Sequence, residues 1–362
     1  MPGYLSKLVC AFISLICLGT MAAGQQSPAP IAVATAQISA PITAPLPRPL
    51  TLDVLVTNAA GKPVADLEPP DFSLLDNNQP RKILSFRRTD GVLGSKFDPP
   101  VEVILVLDAV NLPYQGVALL RLELEKFLRQ NGGHLAQPTS IFIFSSQGLH
   151  VQPTPSKDGN AMATMLDQAT GTVRSRGTAG DVFGLAEQFK TSLDTLAGIA
   201  DNEARKPGRK MVIWIGPGWP LLIDPHFIQT NESKVSYFHS VIALSKKLRE
   251  ARITVYSLYS IVGVTSRGLW EAYLKPLKEP HKAETGHLAL QVLVTQTGGR
   301  VIDPSTDVVG QLNDCISDIG EYYTLSFAPP LSSNLNEYHD LKVLMNQADL
   351  RVRTNTGYYD QP

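Results

Sequence analysis

Uniformly apolar runs alternate with amphipathic stretches between residues 100 and 330. Between the runs, apolar residues recur at helical spacing, as at Val117, Leu120 and Leu124. The runs that have the length of buried strands lie at 103–107, 141–144, 211–215 and 253–258. Strands that are apolar on both faces need helices on both sides of the sheet. The pattern therefore predicts an α/β domain over residues 100–330, with a mostly parallel sheet and helices on both faces.

The regions on either side of this domain have the pattern of antiparallel β structure. In residues 50–95, short strands with period-two alternation are separated by turn residues such as those at 58–63. Two further short strands are predicted in residues 337–358. Neither region is long enough to build a core of its own. We therefore expect the C-terminal strands to pack with the N-terminal ones as a small antiparallel β module from both chain ends.

The N-terminus has the pattern of an export signal. Lys7 is the only charged residue in residues 1–24, and an apolar run at 8–18 is followed by small residues. We predict a signal peptide at 1–24, with an uncleaved membrane anchor as the alternative. Residues 25–49 are rich in Pro and Ala and predict an extended linker. No later run is long enough to cross a bilayer, so we expect a mature chain without a membrane span in the periplasm, at the cell surface or outside the cell.

Charge and motifs argue against several function classes. The chain has 32 Lys and Arg against 33 Asp and Glu, so it offers no basic field for nucleic acid. No Gly-x-Ser-x-Gly elbow, phosphate-binding Gly loop or dinucleotide fingerprint occurs. His281 and His287 fit no usual metal-ligand spacing. Other histidines, His339 among them, stand singly in predicted loops or helices, where we expect them to be solvated. The chain is therefore predicted not to be an enzyme, and no catalytic residue is named.

Several short stretches, taken in order, resemble a known bacterial family. They are 64–67, 71–76, Asp108-Ala109-Val110-Asn111, 322–327, 338–343 and Gly357-Tyr358-Tyr359. By their order and spacing, these residues resemble the VWFA-related acidobacterial domain family over roughly residues 50–359. The resemblance implies an exported bacterial protein with a von Willebrand factor A-like, Rossmann-like fold. It also implies a metal-ion-dependent adhesion site, where an Asp-x-Ser-x-Ser loop, a Thr and a second Asp hold Mg²⁺.

Comparison with that ligand set predicts a degenerate site. Asp108 matches the first Asp, and Thr178 is a candidate for the Thr of the second loop. Val110 and Leu112 stand where the two serines would be, and residues 216–218 (Gly-Pro-Gly) stand where the second Asp would be. Mg²⁺ needs more oxygen ligands than these positions supply. We expect no cofactor, and the alternative role for Asp108 is a structural carboxylate that accepts backbone N–H groups near Asn111 or Gly216.

The function expected from these observations is binding of a protein partner by an adhesion-type module. The candidate binding face comprises Asp108, Asn111, Thr178, Gly216, Gly218 and Trp219. An exposed Trp219 would suit a contact surface, and a Trp packed under its own loop is the alternative. A structural or assembly subunit of the cell envelope, using the edge strands of the β module, is a second possible function. A hydrolase with an unrecognised site is a third.

Overall fold

The computed structural model describes residues 48–170, 182–220, 229–258, 270–330 and 334–360. The predicted signal peptide and nearly all of the predicted linker lie outside the described residues. Residues 47–362 form one compact unit. No helix in the described ranges is long and apolar enough to cross a membrane.

The elements follow one another in an order that begins and ends with β strands. The strands are β1 (Leu50–Thr57), β2 (Phe72–Asp76), β3 (Gln79–Arg81), β4 (Ile83–Asp90), β5 (Glu102–Asp108), β6 (His134–Ser145), β7 (Gly148–Val151), β8 (Ser156–Asp158), β9 (Lys210–Ile215), β10 (Ile253–Leu258), β11 (Val301–Ile302), β12 (Glu321–Phe327), β13 (Tyr338–Met345), β14 (Arg351–Arg353) and β15 (Gly357–Tyr359). The α-helices are α1 (Tyr114–Leu128), α2 (Gly159–Thr170), α3 (Val182–Glu203), α4 (Asn231–Glu250), α5 (Leu290–Gln296) and α6 (Val308–Ile316). Short 3₁₀ turns lie at Pro69–Asp71, Gln130–Gly133, Glu271–Leu274, Pro280–Lys282, Thr285–Leu288 and Ser317–Ile319.

The central sheet has the strand order β11-β10-β9-β5-β6-β7. The strands from β11 to β6 are parallel, and β7 and β8 pair with β6 in the antiparallel sense. The sheet therefore has a doubly wound, Rossmann-like order, with its switch point between β5 and β9. This arrangement confirms the predicted α/β fold class and places the apolar runs side by side, pointing the same way.

Helices cover both faces of this sheet because the side chains of each strand alternate between two cores. Ile104 and Val106 of β5 pack with α3, α4 and α5 on one face. Val103, Leu105 and Leu107 pack with α1, α2 and α6 on the other. Two separate apolar layers explain why the sequence of β5 shows no polar face.

The β module consists of two antiparallel sheets, with strand orders β14-β1-β12-β4 and β15-β13-β2-β3. Both chain ends contribute, since β1 pairs with β14 and β2 pairs with β13. The placement of β12 differs from the predicted domain boundary at residue 330. This strand lies between β1 and β4, not in the α/β domain. Its Tyr322 packs against the α/β core while Tyr323 and Leu325 pack inside the module, so β12 is largely buried on both faces, as the strands of the parallel sheet are.

Partly buried ion pairs join the module to the α/β domain. Arg252, which follows α4, binds Asp53 of β1 through Nε (2.9 Å) and Nη2 (2.6 Å). Its Nη1 binds Asp98, a buried residue that also accepts a hydrogen bond from Arg87 at 2.7 Å. Hydrogen bonds from Arg252 and Arg87 hold the pKa of Asp98 below its usual range, although burial alone would raise it. The two parts of the unit are therefore fixed by charge as well as by apolar contact.

Candidate functional site

The carboxyl ends of β5 and β9 form the switch point of the sheet, where ligands bind in doubly wound folds. Asp108 is the last residue of β5 and is completely buried. Gly216 directly follows β9, and a Cβ atom on it would lie 2.8 Å from the Cβ of Asp108. Only a glycine allows the two strand ends to approach this closely. The Gly216 N–H donates to the Leu258 carbonyl at 3.0 Å, which ties the same loop to β10.

Hydrogen bonds from nitrogen surround the Asp108 carboxylate. Oδ1 accepts from the main-chain N–H groups of Val110 (3.1 Å) and Asn111 (2.9 Å). Oδ2 accepts from Asn111 Nδ2 (2.9 Å) and from the indole Nε1 of Trp214 (2.8 Å). Each carboxylate oxygen has about two lone-pair directions, so these donors occupy the acceptor capacity of the group. Burial raises the pKa of Asp108, and the hydrogen bonds from Asn111, Trp214 and Val110 offset part of that effect.

Asn111 links this carboxylate to helix α3. Its Nδ2 also donates to Ser192 Oγ at 3.0 Å, and the Ser192 hydroxyl donates in turn to the Gln188 carbonyl at 2.8 Å. Ser192 is completely buried. The Oδ1 atom of Asn111 is buried and has no hydrogen-bond partner among the described residues. The loop after β5 is thus held from two directions, by its own strand and by α3.

The residues present do not fit the metal site that the resemblance implies. Val110 and Leu112, at the two serine positions, are buried apolar residues. Pro217, at the position of the second Asp, carries no ligand atom, and Thr178 lies outside the described residues. A cation would have to displace N–H donors from Asp108, since both compete for the same lone pairs. Within the described ranges, no group of three or more His, Cys, Asp and Glu side chains is arranged to hold a metal.

Trp219 does not provide the exposed contact surface proposed from the sequence. Its side chain is 3% exposed, and its Nε1 donates to the Leu288 carbonyl at 2.8 Å. The ring packs edge-on against Trp214, with 5.3 Å between the ring centroids. The alternative, a Trp packed under its own loop, is what the structure shows. Gly218 shapes that loop, because its φ of +80° is a conformation that other residues rarely adopt.

Tyr114 is an exposed aromatic residue of this region that the sequence analysis missed. It is the first residue of α1, follows the Asp108 loop directly, and is 67% exposed. Pro113 at the N-cap position was the available signal, because proline is common where helices begin and Tyr114 is the first residue after it. Trp214 and Ser192 were missed as well. Their roles depend on contacts between distant segments, which spacing along the chain does not reveal.

His339 also departs from the prediction that it is solvated. It lies in β13, is buried, and its Nδ1 is 2.8 Å from Asp76 Oδ1. Tyr358 donates to Asp76 Oδ2 at 2.8 Å and stacks on the histidine ring at 4.7 Å. His339 Nε2 has no hydrogen-bond partner in the described part of the chain. Among the described residues, no serine or cysteine forms a hydrogen bond with His339. Asp76, His339 and Tyr358 therefore form a polar cluster within the core of the β module.

Comparisons with known proteins returned distant structural matches. No family model and no curated protein matches the sequence. The structural matches include human COPII-coat protein Sec24c (12% identity, 76% of this chain, 46% of that chain, TM-score 0.35). They also include proximal thread matrix protein 1 from mussel byssus (12% identity, 64% of this chain, 48% of that chain, TM-score 0.35). A third is the pilus adhesin SpaC from Lactobacillus rhamnosus GG (13% identity, 81% of this chain, 42% of that chain, TM-score 0.34). The chain spans less than half the length of these proteins, and matches this distant carry no argument about function.

Proposed function

We propose that this chain is an exported protein-binding module of the VWFA-related type, which binds its partner through the switch-point loops without a metal ion. The observation that carries the proposal is that four N–H donors occupy the two oxygens of the Asp108 carboxylate. It fixes the loop after β5 by hydrogen bonds where an adhesion site would use Mg²⁺. A loop fixed before binding loses less conformational entropy when a partner arrives.

Tyr114 gives this face a suitable anchor. Exposed tyrosines contribute strongly to protein interfaces because a large ring with few rotatable bonds buries much area. Tyr114 follows Asn111 by three residues, directly after the loop that Asp108 fixes, and Asn111 is itself half-buried. Export to the periplasm, cell surface or exterior is supported by the N-terminal sequence pattern, and a non-enzymatic role by the absence of catalytic motifs from the sequence.

Photo-cross-linking followed by calorimetry tests this function. A photoreactive phenylalanine analogue at position 114 would capture the partner in the native envelope, and mass spectrometry would identify it. Titration of the purified partner into the full chain should then give the same Kd in Mg²⁺ and in EDTA. Tyr114→Ala should weaken binding at least about tenfold, whereas Leu344→Ala, which truncates an exposed residue of the β module, should not. Loss of binding in EDTA would contradict the proposal.

The second candidate, an assembly subunit of the cell envelope, is favoured by one observation. Strand β4 lies at the end of its sheet, and exposed strand edges are sites of strand addition. If partner capture depends on β4 and not on Tyr114, this function replaces the first. The third alternative, a hydrolase, gains no support from the described residues.

A further inference from the structure

Arg209 is a buried cation to which no carboxylate of the described residues is bound. It directly precedes β9, at the end of the sheet opposite the switch point, and is 4% exposed. Its Nη1 atom is buried and has no hydrogen-bond partner in the described ranges. Its Nε atom is 3.5 Å from Thr254 Oγ1, beyond the usual length of a hydrogen bond. A guanidinium group removed from water needs an opposite charge and hydrogen bonds to compensate for its lost hydration.

The ring of Tyr322 lies against this guanidinium group, with 5.2 Å between Arg209 Cζ and the ring centroid. A ring face attracts a cation, but a neutral ring brings no net negative charge. Tyr322 is completely buried, and its hydroxyl also has no hydrogen-bond partner among the described residues. Burial raises the pKa of Tyr322 to about 12, so the hydroxyl keeps its proton at neutral pH and can donate. Two side chains in contact therefore each carry a buried donor without an acceptor, and one of them is charged.

Three carboxylates lie where the β module meets the α/β domain, and four other guanidinium groups already bind them. The sets are Asp53 and Asp98 with Arg252 and Arg87, and Asp318 with Arg353 and Arg300. Glu102 of β5 shares its face of the sheet with Ile104, opposite the face on which Arg209 meets Tyr322, and it binds Lys206 instead. Positive charge therefore exceeds negative charge in this contact, and Arg209 is left without a counter-charge.

We propose that Arg209 Nη1 and the Tyr322 hydroxyl bind a chloride ion between the β module and the α/β domain. Chloride accepts hydrogen bonds from both donors and supplies the missing negative charge. A water molecule would accept the same hydrogen bonds but would leave the charge of Arg209 without compensation. Because both residues are closed to solvent, the site takes a monatomic anion and not an organic anion with a larger body. The proposal is independent of the switch-point face and of Tyr114.

The ion links two parts of the fold that are distant in sequence. Tyr322 belongs to β12, which lies inside the β module, and Arg209 stands at the start of β9 in the central sheet. The two donors come together only when the module is seated on the domain. The unfolded chain therefore has no such site, and chloride binding stabilises the folded chain alone.

Urea denaturation of the full chain tests the proposal when sodium chloride replaces sodium gluconate at constant ionic strength. For the wild type, the ratio of folded to unfolded chain should rise by up to about tenfold for each tenfold rise in chloride above its Kd. Arg209→Met keeps the length of the side chain without its charge, and its stability should not depend on chloride. Arg205→Met makes the same change at an exposed position and should keep the chloride dependence of the wild type.

Tyr322→Phe and crystals grown in sodium bromide test the position of the ion. Tyr322→Phe keeps the ring against Arg209 but removes the hydroxyl, so chloride should bind at least about tenfold more weakly. Bromide should give an anomalous diffraction peak within hydrogen-bond distance of Arg209 Nη1. Equal stability of the wild type in chloride and gluconate overturns the proposal, as does a chloride dependence that persists in Arg209→Met, or a water molecule in place of bromide. If Arg209→Met does not fold, Tyr322→Phe and the bromide crystals decide.

Discussion

Trp214 Nε1 donates a 2.8 Å hydrogen bond to Oδ2 of Asp108, from one strand to its neighbour in the sheet. Both side chains are completely buried. An indole N–H buried without a partner is unfavourable, and so is a buried carboxylate without donors. The two groups satisfy each other, and the apolar neighbours Val110 and Leu112 keep the surroundings closed. Asp108, which the family resemblance would place in a metal site, therefore stabilises the fold through this hydrogen bond.

Removal of the Asp108 carboxylate should destabilise the fold. Asp108→Ala leaves the N–H groups of Asn111 and Val110 and the indole of Trp214 without their acceptor in a buried place. We expect the free energy of unfolding to fall by about 3–5 kcal/mol, measured by urea denaturation. Asp349→Ala removes an exposed carboxylate and should change it by less than about 0.5 kcal/mol. A loss as small as that of Asp349→Ala would contradict the structural role.

Divalent cations should not stabilise the folded chain. A ligand that binds only the native state raises the unfolding temperature in proportion to the logarithm of its concentration. Because N–H donors occupy the Asp108 oxygens, we expect the same Tm in millimolar Mg²⁺, Mn²⁺ or Ca²⁺ as in EDTA, by calorimetry of the full chain. A rise in Tm with Mg²⁺ that Asp108→Ala abolishes would show that a metal site exists.

Lys210 should make the stability depend on pH in the alkaline range. Its buried Nζ donates to the carbonyls of Lys206 (2.6 Å) and Ala251 (3.2 Å), and burial lowers its pKa to about 8. In the unfolded chain the pKa of this lysine is about 10.4. Between these values the unfolded state binds more protons, so stability rises with pH across this window and is lost as pH falls through 8, by up to about 3 kcal/mol.

Comparison with Lys210→Met isolates this contribution. The free energy of unfolding of each protein is measured by urea titration at pH 7.5 and at pH 10. Between these two pH values, the wild type should gain stability relative to Lys210→Met. Lys278→Met alters an exposed lysine and should show no such trend. Parallel curves for the wild type and Lys210→Met would exclude the predicted titration of Lys210.

Arg252→Ala should weaken the attachment of the β module to the α/β domain. The substitution removes the cation that Asp53 and Asp98 share, while Arg87 still binds Asp98, and we expect the free energy of unfolding to fall by about 1–3 kcal/mol. Arg252→Lys keeps the charge but not the two-pronged geometry and should give an intermediate loss. Arg205→Ala, at an exposed position, is the control. Equal stability of Arg252→Ala and Arg205→Ala would show that these ion pairs contribute nothing.

The sequence predicted those features that depend on local periodicity. The runs at 103–107 and 211–215 are neighbouring parallel strands, as predicted, because apolar runs of this length separated by amphipathic helices are typical of a sheet with helices on both faces. The same reasoning misassigned β12, since a strand buried on both faces has the same composition whether its neighbours are parallel or antiparallel. Apolarity reports burial but not the direction of the partner strand.

Within the site, short-range contacts were foreseen and long-range ones were not. The bond from Asn111 N–H to Asp108 is local and follows from a carboxylate at a strand end. The bond from Trp214 crosses 106 positions of sequence and depends on the strand register. The burial of Trp219 similarly depends on Leu288, which no spacing rule connects to it. Specific side-chain partners became visible only with the three-dimensional structure.

The joining of both chain ends in the β module has a consequence for how the protein is synthesised. Thr354 donates to the carbonyl of Asp53 across 301 positions, and Tyr323 donates to that of Val64 across 259. During translation, β1 and β2 leave the ribosome long before their strand partners exist, while the α/β domain between them is already forming its local contacts. The earliest strands to be made are therefore among the last to be completed, and a ribosome that stalls before β13 would leave them exposed to aggregation.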